Sequence, residues 1–314
     1  MKKLWIGAVA LFVAACGQDA AQPEDTPAET QELVSGIDLS AMDTDVRPGD
    51  DFFAYVNGTW VANTEMPADK SRYGVFDKLR DTSQEAVKAI IEKSASGDYP
   101  KGSDEQKVGD LYNSFLDWDT RNALGIEPLQ PELDRIDAIS GYDDMAVYFA
   151  ETMTRGLDAP FTAQQLEDLL NPSQYAILLS QSGLGLPDRE YYFKDDENSV
   201  AIRDKYVAHI EKMFDLAGLE GGADAAQTIM TLETRLAAEH MKKEQMRDYA
   251  GNSKKFDLAD LSSVMPSFNW DGYLGTLGIG DLPEIVVYNL DSMKALDGII
   301  RDTDVDTWKT YLTW

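Results

Sequence analysis

The stretch QSGLGLPDREYYF, Gln181–Phe193, carries two glycines, a proline, an acidic–basic–acidic triplet and three consecutive aromatics. Glycine admits backbone torsions closed to other residues, proline fixes one torsion, and aromatic rings seek burial. Together they describe a rigid loop of one particular shape. Just before it, QYAILLSQ (Gln174–Gln181) has the short apolar run and flanking turn residues of a strand. Just after it, Ile202, Tyr206, Ile210, Met213 and Ala217 recur at helical spacing. The plain reading is a structural loop that packs its aromatics into a core and pairs Arg189 with a carboxylate. The other reading is direct contact with a substrate.

Outward from this loop, helical patterns dominate. Asp50-Asp51 can cap a short helix bearing Phe52, Phe53, Tyr55 and Val56, which Asn57-Gly58 would end with a left-handed turn. Pro67 and Asp69 mark a turn. Thr82 and Glu85 have the form of a capping box ahead of Ala86, Val87, Ala89, Ile90 and Ile91. Val108, Leu111, Tyr112, Phe115 and Trp118 form another apolar stripe, and Asp143–Arg155 a further one that stops at Gly156. Ala225 to about Arg247 predicts the longest helix, and EIVVYN (Glu284–Asn289) a second strand. Val305, Trp308, Tyr311 and Leu312 keep helical spacing up to Trp314 with no closing signal, which predicts a fragment whose partner surface lies elsewhere. The expected fold class is mainly α, a multi-helix lobe with minor short β-strands.

The 314 residues are 43% hydrophobic, enough for one large domain or two ordinary ones. Lysine and arginine number 28 against 56 acidic residues, a net charge of -28. Such a surface repels phosphate backbones, so nucleic acid is excluded as a partner, and the acidity reads as solubility. The single cysteine, Cys16, rules out an internal disulfide. It follows a basic start (Met1-Lys2-Lys3) and the apolar run LWIGAVALFVAA, and VAAC resembles the bacterial lipobox. Residues 1–16 therefore read as a lipoprotein signal peptide cut before Cys16, whose thiol would carry the lipid that anchors the protein to a membrane; the other reading is an uncleaved membrane anchor with an incidental cysteine. Gly17 after the cysteine, by resemblance to the lipoprotein sorting rule, favours the outer membrane of a bacterial envelope, facing periplasm or exterior. Residues 17–35 are acidic, lack lysine and arginine, and hold too little apolar surface to offset chain entropy, so they are expected to be a disordered tether. The folded part would span 36–314.

Side-chain chemistry alone assembles no active site. His209 and His240 are the two histidines, and neither has a second histidine or a cysteine at ligand spacing. H-E-x-x-H, G-x-S-x-G and the P-loop pattern are all missing from the sequence. Close acidic pairs are expected by chance in so acidic a chain.

Four motifs carry a resemblance. DDFFAYVNGTW (50–60), PADKSRYGVFDKLRD (67–81), QSGLGLPDREYYF, and LETRLA (232–237) followed by Arg247-Asp248 are similar, in this order, to the N-terminal half of the neprilysin and endothelin-converting-enzyme family of zinc metallopeptidases. The resemblance runs from about Asp38 to Trp314. It implies one part of a two-lobed enzyme that encloses a cavity and hydrolyses peptides. The cofactor, zinc, would sit in the later half on an H-E-x-x-H helix with a downstream glutamate, where it polarises the peptide carbonyl while the motif glutamate activates water. That C-terminal catalytic half is then the partner this chain requires, and the chain alone is expected to be inactive, with no catalytic or metal-binding residue of its own. Animal members are stapled by disulfides, whereas this chain, like bacterial members, is not.

Within SRYGVF, Arg72 matches the family position that grips the carboxylate end of short peptides. A guanidinium offers a rigid fork of donors suited to that task. Tyr73 and Phe76 are expected to anchor the segment, Gly74 to let the backbone pass close to its neighbours, and Arg80 to serve as an ion-pair partner. Residues 36–80 are expected to pack with the catalytic half and 81–314 to form the helical lobe that limits entry by size. The alternative is a short lipoprotein that kept the non-catalytic lobe as a peptide-binding or scaffold module.

Overall fold

Asp51 starts the first long helix: its carboxylate accepts from the Ala54 amide at 2.8 Å, and helix α1 follows over Phe52–Asn63. The computed structural model describes residues 36–168 and 170–314, which divide into a unit ending at Tyr112 and a second beginning at Asn113. In the first unit α1 runs straight through Asn57-Gly58, so the left-handed stop expected there does not form. Gly58 is instead a contact point. A Cβ there would lie 2.7 Å from the Asp43 Cβ, and the 42–43 segment is bound to the helix by Thr59 Oγ1 on Met42 O (2.7 Å) and by Asp43 N on Tyr55 O (2.9 Å).

Helix α2 spans Val75–Ser96 and is the longest among the described residues. It begins well before Thr82, because the Asp77 carboxylate accepts from the Gly74 amide at 3.1 Å and closes the first turn there. Thr82 and Glu85 lie inside the helix, where the same spacing is equally at home. Helix α3, Asp104–Leu116, packs on α2 at backbone distance: a Cβ on Gly109 would sit 2.4 Å from the Ser94 carbonyl oxygen. Ser94 and Gly109 are the buried residues of the described part of this unit, so it holds almost no apolar core.

The second unit contains the core. Helices α4 (Trp118–Leu124), α5 (Gln130–Asp137) and α6 (Tyr142–Arg155) lead into it, and Gly156 ends α6 at φ +69°, as its sequence signal predicts. Strands β1 (Phe161–Glu167) and β2 (Tyr175–Gln181) form a hairpin. After the Gln181–Phe193 loop, whose end is the short helix α7 (Glu190–Phe193), come α8 (Glu197–Ala217) and α9 (Gly222–Glu239). Helix α10 (Tyr249–Asn252), strand β3 (Ser253–Asp257), helix α11 (Trp270–Leu277), strand β4 (Glu284–Tyr288), α12 (Leu290–Arg301) and α13 (Val305–Thr313) complete it. The sheet order is β1-β2-β4-β3, with β2 and β4 parallel and both outer pairs antiparallel. The chain is mainly helical with one small sheet.

Helix α9 stops at Glu239 rather than near Arg247, since its last carbonyls are taken by tertiary donors. Arg189 Nε donates to Ala237 O at 3.0 Å and Ser292 Oγ to Glu239 O at 2.6 Å. Phe149, Phe161, Phe268, Trp270, Tyr273 and Trp308 interlock edge-to-face at the centre. The β1–β2 turn is tied to the sheet by the buried Asp168, which accepts from Lys255 Nζ (2.7 Å), Leu170 N (2.9 Å) and Gln174 Nε2 (3.1 Å). Those donors, the lysine foremost, hold its carboxyl down to about 2.

Candidate functional site

Arg72 lies on the connection between α1 and α2, exposed, and makes no hydrogen bond or ion pair among the described residues. Its neighbours are held firmly. The turn predicted at Pro67–Asp69 forms, with Lys70 N donating to Pro67 O at 3.0 Å. Lys70 Nζ then reaches α2, meeting both oxygens of Asp81 at 2.8 and 2.5 Å, and lies 4.9 Å from the centre of the Tyr73 ring. Tyr73 stacks on Trp60 of α1 with ring centres 6.4 Å apart and planes 20° from parallel. A bare guanidinium thus projects from a segment tied to both helices, and its five donors suit a carboxylate.

Two expectations for this segment need correction. Phe76 is 88% exposed and anchors nothing among the described residues; Trp60 is the ring that Tyr73 meets. Gly74 has an extended backbone, and a Cβ there would meet nothing within 4 Å, so no close approach requires a glycine. Arg80 does pair, with Asp77 at 3.0 Å within α2.

The Gln181–Phe193 loop closes on a single buried carboxylate, Glu233 of α9. Tyr192 OH donates to Glu233 Oε2 at 2.6 Å, and Tyr206 OH of α8 donates to Oε1 at 2.8 Å. The Gly185 amide adds a weaker contact to Oε1 at 3.3 Å. Each hydroxyl oxygen is itself engaged by a group that can only donate: Leu186 N on Tyr192 (3.1 Å) and Trp314 Nε1 on Tyr206 (2.9 Å). The phenolic hydrogens therefore point at Glu233, which has the hydrogen-bond complement of an ionised carboxylate. Burial pushes the Glu233 carboxyl above its usual range, while the donors from Tyr192, Tyr206 and Gly185 pull it back. Both tyrosines are raised, chiefly by burial and then by the nearby carboxylate.

The two glycines are sites where no side chain fits. Gly183 adopts φ +86°, and its carbonyl accepts from Tyr311 OH at 2.8 Å; a Cβ on Gly185 would lie 1.8 Å from the Tyr206 hydroxyl. Arg189 meets Glu190 at 3.2 Å and packs on the Phe193 ring. The plain reading of the loop forms in part: Tyr192 is buried and Arg189 pairs with a carboxylate, whereas Tyr191 is half-buried and Phe193 stays exposed. Beside it lies a cleft of about 360 Å³ lined by Glu132, Tyr148, Asp158, Gly185, Glu233 and Trp314.

Among the described residues neither histidine stands in a ligand set. His209 presents its ring edge-on to Trp314 at 5.7 Å. His240 is pushed down to about 4, mainly by burial, with the Ser182 carbonyl opposing and the Arg189 charge assisting. Among the described residues no three His, Cys, Asp or Glu side chains gather as a metal site. Cys16 and the residue 17–35 tether lie outside the described residues. Sequence reasoning missed Glu233 as the organising group, although LETRLA contains it, and missed Trp60 and Lys70 as supports of Arg72.

Residues 48–314 match the family model for peptidase family M13. The chain is 29% identical to human endothelin-converting enzyme 1 over 296 residues, covering 88% of this chain and 37% of that protein. It is 29% identical to human membrane metallo-endopeptidase-like 1 over 309 residues, covering 88% and 38%. Among solved structures, the Mycobacterium tuberculosis zinc metalloprotease Zmp1, in complex with an inhibitor, superposes with a TM-score of 0.77 at 33% identity, covering 89% of this chain and 43% of that one. The chain thus spans about two fifths of the length of the relatives it matches.

Proposed function

Because the chain belongs to peptidase family M13, a family of zinc metallopeptidases, we propose that it is the N-terminal part of a membrane-tethered peptidase that hydrolyses peptides. Residues 36–80 pack with a C-terminal catalytic half, and 81–314 form the lobe that restricts entry by size. The described residues do not suit zinc: His240 is half-buried beside Ser182 and Arg189, His209 is exposed with its ring edge-on to Trp314, and no ligand cluster exists among the described residues. Zinc belongs to the other half, and the chain alone does not cleave peptides. Cys16 holds the protein to the bacterial outer membrane through its lipid.

The contribution of this chain to the reaction is Arg72, which binds the free carboxylate of short peptides. The observation that carries this is the contrast between an exposed, unpaired guanidinium and the rigid seating of the residues on either side. In the full-length enzyme Arg72→Ala should lower kcat/KM about thirtyfold or more for free-acid peptides, as expected for a lost charge-assisted pair of roughly 2–5 kcal/mol. Peptides amidated at the C-terminus never had the contact and should lose far less. Arg72→Lys should recover part of the loss, because an ammonium cannot reproduce the fork. Equal losses for both peptide classes, with a lower thermal midpoint, would return Arg72 to a structural role.

A further inference from the structure

We propose that Tyr73, clasped between Trp60 and Lys70, is a positioning residue that sets the direction of Arg72. This rests on the carboxylate-binding reading of Arg72 and adds to it the device that makes the subsite stiff. An arginine on a loose connection would lose side-chain and backbone freedom on binding, and that loss would be subtracted from the affinity. Here the connection is tied in three directions. Tyr73 is fixed to α1 by its stack on Trp60, Lys70 is fixed to α2 by its two bonds to Asp81, and the Lys70 ammonium lies over the Tyr73 ring at 4.9 Å. The ion pair is partly sheltered, with 17% of the lysine side chain and 33% of the aspartate exposed. Ser71 and Arg72 are the residues between the two tied points, and both are exposed.

The stack also explains why the two aromatic-bearing motifs at 50–60 and 67–81 contain what they do. Trp60 is the last residue of DDFFAYVNGTW, and its ring receives Tyr73 of SRYGVF. Lys70 and Asp81 open and close the charged pair that brackets Arg72 on α2's side. The Tyr73 hydroxyl makes no hydrogen bond among the described residues, so the ring and not the hydroxyl does the holding.

The test has two arms. In the 314-residue chain, exchange of the hydrogen-bonded amides of Lys70 and Gly74 should rise roughly five- to thirtyfold in Tyr73→Leu, while α9 and the sheet keep their protection. Lys70→Met, which removes the cation and keeps the stem, should act in the same direction, and Tyr73→Phe, which keeps the ring, should exchange like wild type. In the full-length enzyme Tyr73→Leu should lower kcat/KM for free-acid peptides roughly three- to tenfold, through KM, with amidated peptides little changed. Unchanged exchange in both Tyr73→Leu and Lys70→Met overturns the proposal. So does a Tyr73→Leu enzyme with wild-type selectivity alongside an Arg72→Ala enzyme that has lost it. If Arg72→Ala itself fails to separate the two peptide classes, the carboxylate subsite falls, and that control distinguishes its failure from a failure of the clasp.

Discussion

Gly185→Ala asks whether the loop at Gln181–Phe193 has any slack. An alanine Cβ there would stand 1.8 Å from the Tyr206 hydroxyl and 3.2 Å from Glu233 Oε1. The Gly185 backbone is not left-handed, so torsion adds nothing and the clash is the whole effect. The Tyr206 oxygen sits at the tip of a rigid ring, held by Trp314 Nε1 and bonded to Glu233 at 2.8 Å, so making room breaks or stretches that bond. Overpacking of this kind costs about 1–3 kcal/mol, and a hydrogen bond lost from a buried charged group about 1.5–3 kcal/mol. Together they amount to roughly 2.5–6 kcal/mol, and at roughly 2–4 °C per kcal/mol for a unit of this size the midpoint should fall by about 5–24 °C. Thermal unfolding followed by circular dichroism would measure it. Gly275→Ala is the control: it is exposed inside α11, a Cβ there meets nothing within 4 Å, and the exchange should stabilise by roughly 0.5–1 kcal/mol. A Gly185→Ala chain that unfolds together with wild type would show that the loop gives way freely, and the argument from Glu233 would fail.

Acid should expose two further groups. Asp168 titrates near 2 in the fold against an ordinary 3.8, so its contribution to stability is complete above about pH 4 and is lost as pH falls towards 2; Asp168→Asn should flatten that part of a urea-midpoint profile. His240 stays neutral in the fold down to about 4 against an ordinary 6.5, so the unfolded chain takes the proton first. The part of the stability that depends on His240 should decline as pH falls between those values and level off below, and His240→Gln should reduce the slope in that window. Limited proteolysis should cut within residues 36–103 before it cuts the second unit, because the first has almost no buried side chains; the order of fragments by mass spectrometry checks this. A fatty-acid probe supplied to growing cells should label the wild type and leave Cys16→Ser unlabelled; equal labelling would remove the anchor.

The helical architecture was legible where apolar spacing coincided with a cap, as at Asp51, at Gly156 and along Ile202–Ala217. It was misread where one dipeptide or spacing serves two purposes. Asn57-Gly58 has the letters of a helix stop, but its glycine exists to let Asp43 come close. Thr82 and Glu85 satisfy a capping pattern, yet Asp77 had already closed the helix start. Strands β1 and β3 were invisible because TAQQLE and SKKFD are polar, each becoming a strand through its neighbour and not through its own pattern. The end of α9 lies in the hands of Arg189 and Ser292, distant residues that no local window contains. At the candidate site, the motif identified Arg72, whereas its supports come from three separate places, α1, the turn and α2.

The hydrogen directions around Glu233 restrict more than geometry. Both of its oxygens face groups with a hydrogen to give, and the two phenols that give it are each already receiving one from a nitrogen that can do nothing else. Glutamine has the right length, but its amide nitrogen would turn hydrogens towards hydrogens. Aspartate has the right oxygens and falls a methylene short, and a hydrophobe would strand two buried phenols. Of the twenty side chains, one answers. In any chain that retains this glycine-bearing loop and tyrosines at 192 and 206, the residue at 233 is dictated by the polarity of its neighbours' bonds together with the reach of its side chain, and net charge alone could not have selected it.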